Sequence, residues 1–313
     1  LAARELDSSG FVSTSATQSP SGSTEESSAT TSLQPVQQLS PRSQEDVGTA
    51  SAAPVRNDNE ALCFDIARLK AVDFNDVDLT TRRWKRSPAD DATRAMQQTI
   101  QSAVKRLAAD LYSGDGHFLH ELLQNVDDCK YPADALPTLK VRVESDRGRF
   151  PDATTFAPLG LAILVVEHNE EGFTQEHVRA LCDIGQSNKG GSSNDRIGNK
   201  GIGFKSVFQA TQTPIVHSRG YHFHLDSAAL GGLGYLVPFP LLAPLGFDNK
   251  HGTRLVLPLS NQREVMDVSQ KLVDDLQPQL LLFLRRLQCI EVIDSVMGTH
   301  VRMWKDNAGP FVR

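Results

Sequence analysis

The run Phe118-Leu119-His120-Glu121-Leu122-Leu123-Gln124-Asn125-Val126-Asp127-Asp128 has the period of a helix and not of a strand. At about 100° per residue, Leu119, Leu122, Leu123 and Val126 share one broad face. Glu121, Asn125 and Asp128 fall on the opposite side, at i, i+4 and i+7. A chain containing this segment must bury one side of the helix and present a carboxylate, an amide and a second carboxylate in a line. The spacing predicts a helix from about His117 to Lys130. A carboxylate can accept a proton from an attacking water. An amide oxygen is a hard ligand suited to Mg²⁺. An ordinary amphipathic helix with a solvated polar side would show the same pattern.

The next constraint lies downstream, in Gly198-Asn199-Lys200-Gly201-Ile202-Gly203-Phe204-Lys205. Its three glycines permit close backbone approach, and Phe204, Val207 and Phe208 fit a helix start behind them. Exposed amides at such a start favour an anion. The segment is not a Walker A loop, since GxxxxGK[ST] is absent. Nor is it a Rossmann turn, because a long polar stretch precedes it and not a strand. In that stretch, Ser187 or Lys189 could reach a phosphate, and a plain surface loop would read the same way. A loop of this kind ending in a phosphate-binding turn would form a lid.

Around these motifs the chain reads as one ordered region with a polar tail. Residues 1–58 are rich in Ser, Thr, Gln, Pro and Glu, and are expected to be a disordered tail or linker. The ordered domain is expected over 62–300, with 301–313 opening a further region. The chain starts at Leu1 and stops at Arg313, which reads as a piece of a larger protein. A helix is predicted from Ser87-Pro88 to about Leu111, with Ser87 as its cap. The basic run Arg82–Arg86 ahead of it fits a solvated face better than a phosphate site or import signal. Strands are predicted over 139–143, 161–167, 215–225, 253–257 and 289–293, and helices over 175–184 and 264–285. Strands interspersed with helices indicate an α+β or α/β layered fold.

The net charge of −6 gives no electrostatic case for nucleic acid or an anionic membrane. No apolar run approaches the roughly 18 residues of a spanning helix. Cys63, Cys129, Cys182 and Cys289 lie far apart with no CxxC pair, which argues for reduced thiols in a cytoplasmic or nuclear protein and against zinc. His222 and His224, with His217 nearby, could form a metal site. Histidines on a sheet surface are the simpler reading.

The order of the motifs is more specific than any one of them. The Glu-x-x-x-Asn helix precedes a strand ending in Glu167-His168-Asn169-Glu170-Glu171-Gly172-Phe173-Thr174. The glycine turn follows, then Gly252-Thr253-Arg254-Leu255-Val256-Leu257. This series resembles the GHKL superfamily, and most of all its sacsin and NO VEIN branch, through ELLQNVDD, EEGFTQEHVRALCDIGQSNK and GNKGIGFKSVF. The resemblance runs from about His117 to Leu257.

That resemblance implies an α+β, two-layer Bergerat-type fold, with a mixed and largely antiparallel sheet covered by helices, that binds ATP with Mg²⁺. It implies Glu121 as general base, Asn125 as the Mg²⁺ ligand and Asp128 as the acid one turn on. Gly172 and Phe173 would lie beside adenine. Gly198, Gly201 and Gly203, with Lys200, Ile202 and Phe204, would hold phosphate. Thr253 would bond to the adenine-reading acid. Counting back from Gly172 places His168 in that acid's position, with Asn169 beside it, which is a departure from the family's Asp or Asn. The resemblance further implies a nucleotide-dependent dimer and a slow hydrolytic switch completed by a basic residue from a following domain. A non-hydrolysing nucleotide scaffold is the alternative. A histidine kinase would need a phosphoacceptor histidine, which the helix from Pro88 to Leu111 lacks.

Overall fold

In the computed structural model, residues 58–88, 90–112, 118–145, 161–183, 203–244, 247, 251–306 and 309–312 are described. The predicted disordered tail lies outside them except for its last residue. Helix α1 (Asp58–Leu69) opens the fold and was not expected from the sequence. Its apolar side, Leu62, Cys63, Ile66 and Ala67, is buried. A short hairpin, β1 (Val77–Asp78) and β2 (Arg83–Trp84), follows. It turns the basic run partly to structural use: Arg82 pairs with buried Asp226 at 2.8 Å, while Arg83, Lys85 and Arg86 are exposed.

Helix α2 (Asp91–Tyr112) starts three residues later than its Ser-Pro signal suggests. Asp90 caps it instead, accepting from the Thr93 amide at 2.8 Å and the Thr93 hydroxyl at 2.6 Å. A carboxylate suits this position better than the Ser87 hydroxyl because the orphan amides carry partial positive charge.

Helix α3 (Phe118–Asp127), strand β3 (Thr138–Glu144), strand β4 (Ala162–His168) and helix α4 (Gln175–Leu181) come next. After a 3-10 turn (Lys205–Gln209), strands β5 (Ile215–Ser218) and β6 (Tyr221–His224) form a hairpin. The single strand expected over 215–225 is thus folded in two at Arg219-Gly220, both with positive φ. That is the geometry a tight two-residue hairpin turn requires.

The last part holds β7 (Phe239–Pro240), β8 (Thr253–Leu259), helix α5 (Gln262–Asp275), β9 (Cys289–Asp294), β10 (Thr299–Asp306) and β11 (Gly309–Val312). The long helix expected to Arg285 stops at Asp275. Pro278 lacks an amide to continue it and instead starts a 3-10 turn, Pro278–Leu282. The expected last strand, β9, is followed by two more that continue the same sheet.

Nine strands form one mixed sheet in the order β11-β10-β9-β3-β4-β8-β5-β6-β7. The β3–β9 pair is parallel, and the other ladders are antiparallel. Strand alternation divides the two faces. Leu139, Val141 and Val143 of β3, with Leu164 and Val166 of β4 and Leu255 and Leu257 of β8, pack against α3, α4 and α5 in the main core. The opposite face carries Lys140–Glu291 at 3.2 Å and Arg142–Glu167 at 2.7 Å, with Arg254 also on Glu167. Beside these charges, Ile163, Val165, Ile215 and Val256 form a small apolar cluster. The helices therefore cover one face, and the cleft lies between them and the sheet.

Candidate functional site

Helix α3 is positioned by its two ends of chemistry. Its apolar stripe, Leu119, Leu122, Leu123 and Val126, is buried as the periodicity predicts. Its last residue, Asp127, is also buried, and its carboxylate accepts the amides of Arg285, Arg286 and Leu287 at 2.7–2.8 Å. Three N–H donors on one carboxylate tie the helix end to the chain entering β9. Asp128, which the resemblance places at the ligand, ion-pairs with Arg285. It does not line the cleft.

Glu121 and Asn125 are half-buried, and Gly203 sits directly on them. A Cβ added to Gly203 would lie 2.8 Å from Glu121 Oε2 and 3.4 Å from Asn125 Nδ2. Only a residue without a side chain lets the backbone approach so closely. Two sequence motifs some eighty positions apart therefore meet at one place. Ser187, Lys189, Gly198, Lys200, Gly201 and Ile202 lie outside the described residues.

Beside Asn125 and Phe204 opens an apolar cleft with a cavity volume of about 50 Å³. Asn125, Cys129, His168, Phe173, His177, Phe204 and Thr253 line it. The loop from β4 to α4 supplies Phe173. Gly172 there has φ +88°, and a Cβ on it would strike Arg219 at 2.6 Å. Thr174 then caps α4, its hydroxyl accepting from the His177 amide at 3.4 Å while His177 Nδ1 accepts from the Thr174 amide at 3.3 Å.

A chain of buried hydrogen bonds runs behind Thr253 and Phe173 of the cleft wall. The Thr253 hydroxyl donates to Glu170 Oε1 at 2.6 Å, and Ser218 Oγ lies 2.6 Å from the same hydroxyl. Ser218 Oγ accepts from the Phe173 amide at 2.8 Å. Thr253 thus holds Glu170, and neither His168 nor Asn169. Asn169 is spent elsewhere: its oxygen accepts from the Thr138 amide at 2.8 Å and its nitrogen donates to Leu136 O at 2.9 Å. His168 is buried on the cleft wall, with Nδ1 3.8 Å from Glu170 Oε1. The sequence reading passed over Glu170 because it counted from Gly172. The signal was the acid two residues before that glycine, but its link to Thr253 crosses 83 positions and exists only in the fold.

Lys205 is a second residue without a predicted role. Its ammonium is buried and donates to Leu181 O at 2.7 Å and Tyr235 O at 2.5 Å. Burial pulls its pKa down to about 8, and burial raises neighbouring Cys182 to about 11. Lys205 therefore fixes the end of α4 against the turn after Gly203, and does not face a phosphate. The four cysteines are free thiols, as expected. His217 and His222 share a buried Nδ1–Nδ1 contact of 3.2 Å, while His224 stacks on Phe239 at 5.2 Å. Among the described residues, the group of three whose ligand atoms converge is instead Cys129, His168 and Glu170, all within 4.8 Å of one another.

These features define an α+β protein whose mixed sheet carries helices on one face, with an apolar cleft between them that Asn125 and Thr253 line and a buried acid, Glu170, held by Thr253. Sequence comparison then places it among known proteins. The sacsin domain family matches residues 97–229. The chain is 35% identical over 256 residues to Protein NO VEIN of Arabidopsis thaliana, covering 76% of this chain and 8% of that protein. It is 30% identical over 122 residues to human sacsin, covering 38% of this chain and 2% of that protein. The chain is thus related to the sacsin and NO VEIN branch, and spans less than a tenth of either relative's length. No helix among the described residues is long and apolar enough to cross a membrane.

Proposed function

We propose that this is an ATP-binding domain of the GHKL type, with a Bergerat-type fold, and that it works as a slow, magnesium-dependent conformational switch within a larger protein. The observation that carries the reading is the convergence of Gly203 on Glu121 and Asn125, beside a cleft whose lining residue Thr253 holds the buried acid Glu170. That is the relation the family resemblance requires of a phosphate glycine, a base, a metal ligand and an adenine-reading acid. The acid of this reading is Glu170, not His168 or Asn169.

The residues fit such a ligand. Gly203 brings its backbone, whose amide could face a phosphate, close beside Asn125, whose amide oxygen would hold Mg²⁺. ATP would supply the phosphoanhydride, with the metal neutralising its charge. Glu170, oriented by Thr253 and Ser218, accepts a hydrogen bond from an exocyclic amino group. Phe173, Phe204 and Leu122 exclude water around a planar base. Glu121 is placed to take a proton from water at the phosphate end.

Calorimetric titration with a non-hydrolysable ATP analogue tests this, with and without Mg²⁺. Wild type should bind with magnesium dependence. Asn125→Ala should lose that dependence, and Glu121→Ala should bind the analogue but release no phosphate when ATP itself is supplied in a separate turnover assay. A folded wild type that binds no adenine nucleotide ends the proposal. Binding with no turnover, in wild type and in a longer form carrying the following region, would make the domain a nucleotide scaffold.

A further inference from the structure

We propose that Cys129, His168 and Glu170 form a site for a zinc-class divalent transition-metal ion on the floor of the cleft. The three residues come from separate segments: the chain after α3, the end of β4 and the loop beyond it. All are buried, at 4%, 8% and 3% exposure, and their ligand atoms lie within 4.8 Å of one another. Around a tetrahedral zinc ion, bonds of about 2.0–2.3 Å put neighbouring donors roughly 3.3–3.8 Å apart. The His168 Nδ1 to Glu170 Oε1 distance of 3.8 Å is already at that spacing.

The backbone that carries the set is pinned. The Glu171 amide donates to Lys130 O at 2.9 Å and so staples the cysteine segment to the glutamate segment. Arg286 donates to Cys129 O at 2.6 Å, and the Gly252 amide donates to Glu170 O at 2.7 Å. The Thr253 hydroxyl on Glu170 Oε1 orients the carboxylate from behind, as partners of metal ligands do. A thiolate, an imidazole and a carboxylate together select zinc, cobalt or cadmium over magnesium or calcium. The site is therefore chemically distinct from the magnesium position assigned to Asn125. Cys129 and His168 both line the cleft, so the fourth coordination position opens into it. Binding displaces the Cys129 thiol proton, now directed at Asn125 O at 3.1 Å, to solvent. No redox change is involved.

One consequence rests on the nucleotide reading above. An ion held by Cys129, His168 and Glu170 would occupy the place from which adenine must approach Glu170, so zinc and nucleotide compete for it.

The test is a titration of the reduced, metal-free chain with Co²⁺, followed by absorption. One equivalent should bring up a thiolate-to-cobalt charge-transfer band together with tetrahedral d–d bands, and Zn²⁺ should bleach both. Cys129→Ser should abolish the charge-transfer band and weaken binding by at least about 100-fold, whereas Cys289→Ser should change neither. In the unmutated chain, zinc should slow alkylation of Cys129, read by peptide mass. Absence of the band in wild type, its survival in Cys129→Ser, or alkylation of Cys129 indifferent to zinc overturns the site. An ATP analogue is then titrated at saturating zinc. Loss of nucleotide binding supports the shared carboxylate, and unchanged binding refutes it. Metal binding in a chain that takes no nucleotide even without zinc leaves this site standing and removes the nucleotide reading alone.

Discussion

Replacing Gly203 by alanine separates the site from the fold more cleanly than any other change. The added Cβ would lie 2.8 Å from Glu121 Oε2 and 3.4 Å from Asn125 Nδ2. The first contact is too short to survive, and the second is tight. Both atoms end flexible side chains, so they can turn away while the backbone stays put. Gly203 does not occupy the left-handed region, so alanine there gains about 0.4–1 kcal/mol by restricting the unfolded chain. Driving Glu121 off its rotamer costs about 0.5–1.5 kcal/mol. The two nearly cancel, and thermal unfolding should move by no more than about 4 °C. The same displacement must be reversed each time ligand binds. Magnesium-dependent ATP affinity should therefore fall about 3- to 10-fold, and turnover about 100-fold because the base is misplaced. Calorimetry, single-turnover phosphate release and thermal melting read the three quantities. Wild-type affinity and turnover in Gly203→Ala would refute the placement of the glycine turn on Glu121 and Asn125. A fall in melting temperature above about 10 °C would show that Gly203 is a packing position.

Other outcomes follow from the same structure. Asp127→Asn keeps the size of the side chain but turns one of the two acceptor oxygens facing the Arg285, Arg286 and Leu287 amides into a donor. It should cost about 2–4 kcal/mol in urea unfolding, and an unchanged midpoint would mean α3 is not anchored there. Thr253→Val removes the hydroxyl that serves Glu170 and should cost about 1.5–3 kcal/mol. Adenine nucleotide affinity should fall with it, and a variant equal to wild type in both would disconnect Thr253 from the acid. Burial lowers His217 and His224 to about 3, so both fold neutral. The unfolded chain binds more protons between about pH 3 and 6.5, so stability must fall as pH drops through 6.5. The loss is about 1.4 kcal/mol per histidine for each pH unit, and should be halved in a His224→Phe variant. Equal urea midpoints at pH 7 and 5.5 would contradict it.

The elements that were legible in the sequence are those whose periodicity is local. Helix α3 and strands β3, β4 and β8 each carry a local apolar pattern, a helical stripe in α3, an alternation in β3 and a continuous run in β4. The errors arose where a single residue overrides the pattern. Arg219-Gly220 folds an apolar run into the β5–β6 hairpin, and Pro278 stops a helix whose periodicity continues past it. Helix α1 was missed because its four buried apolar residues follow a long polar tail that masks their spacing. At the site, Glu121, Asn125 and Gly203 could be named from their motifs. Glu170 could not, because its partner Thr253 is adjacent only once β4 and β8 pair. The convergence of Cys129, His168 and Glu170 was hidden for the same reason. The sequence shows metal spacing only when ligands are close in the chain, and here they are brought together by α3 and β4.

The most direct test of the nucleotide reading is a comparison of ATP and GTP binding to the wild-type chain with Mg²⁺. On the proposed reading Glu170 would accept from the amino group of adenine, where guanine would present a carbonyl oxygen and be repelled. ATP should bind at least about tenfold more tightly than GTP, and Glu170→Ala should erase the difference. Equal affinities in the wild type, or no binding of either nucleotide by the folded chain, would contradict the assignment of this cleft to adenine.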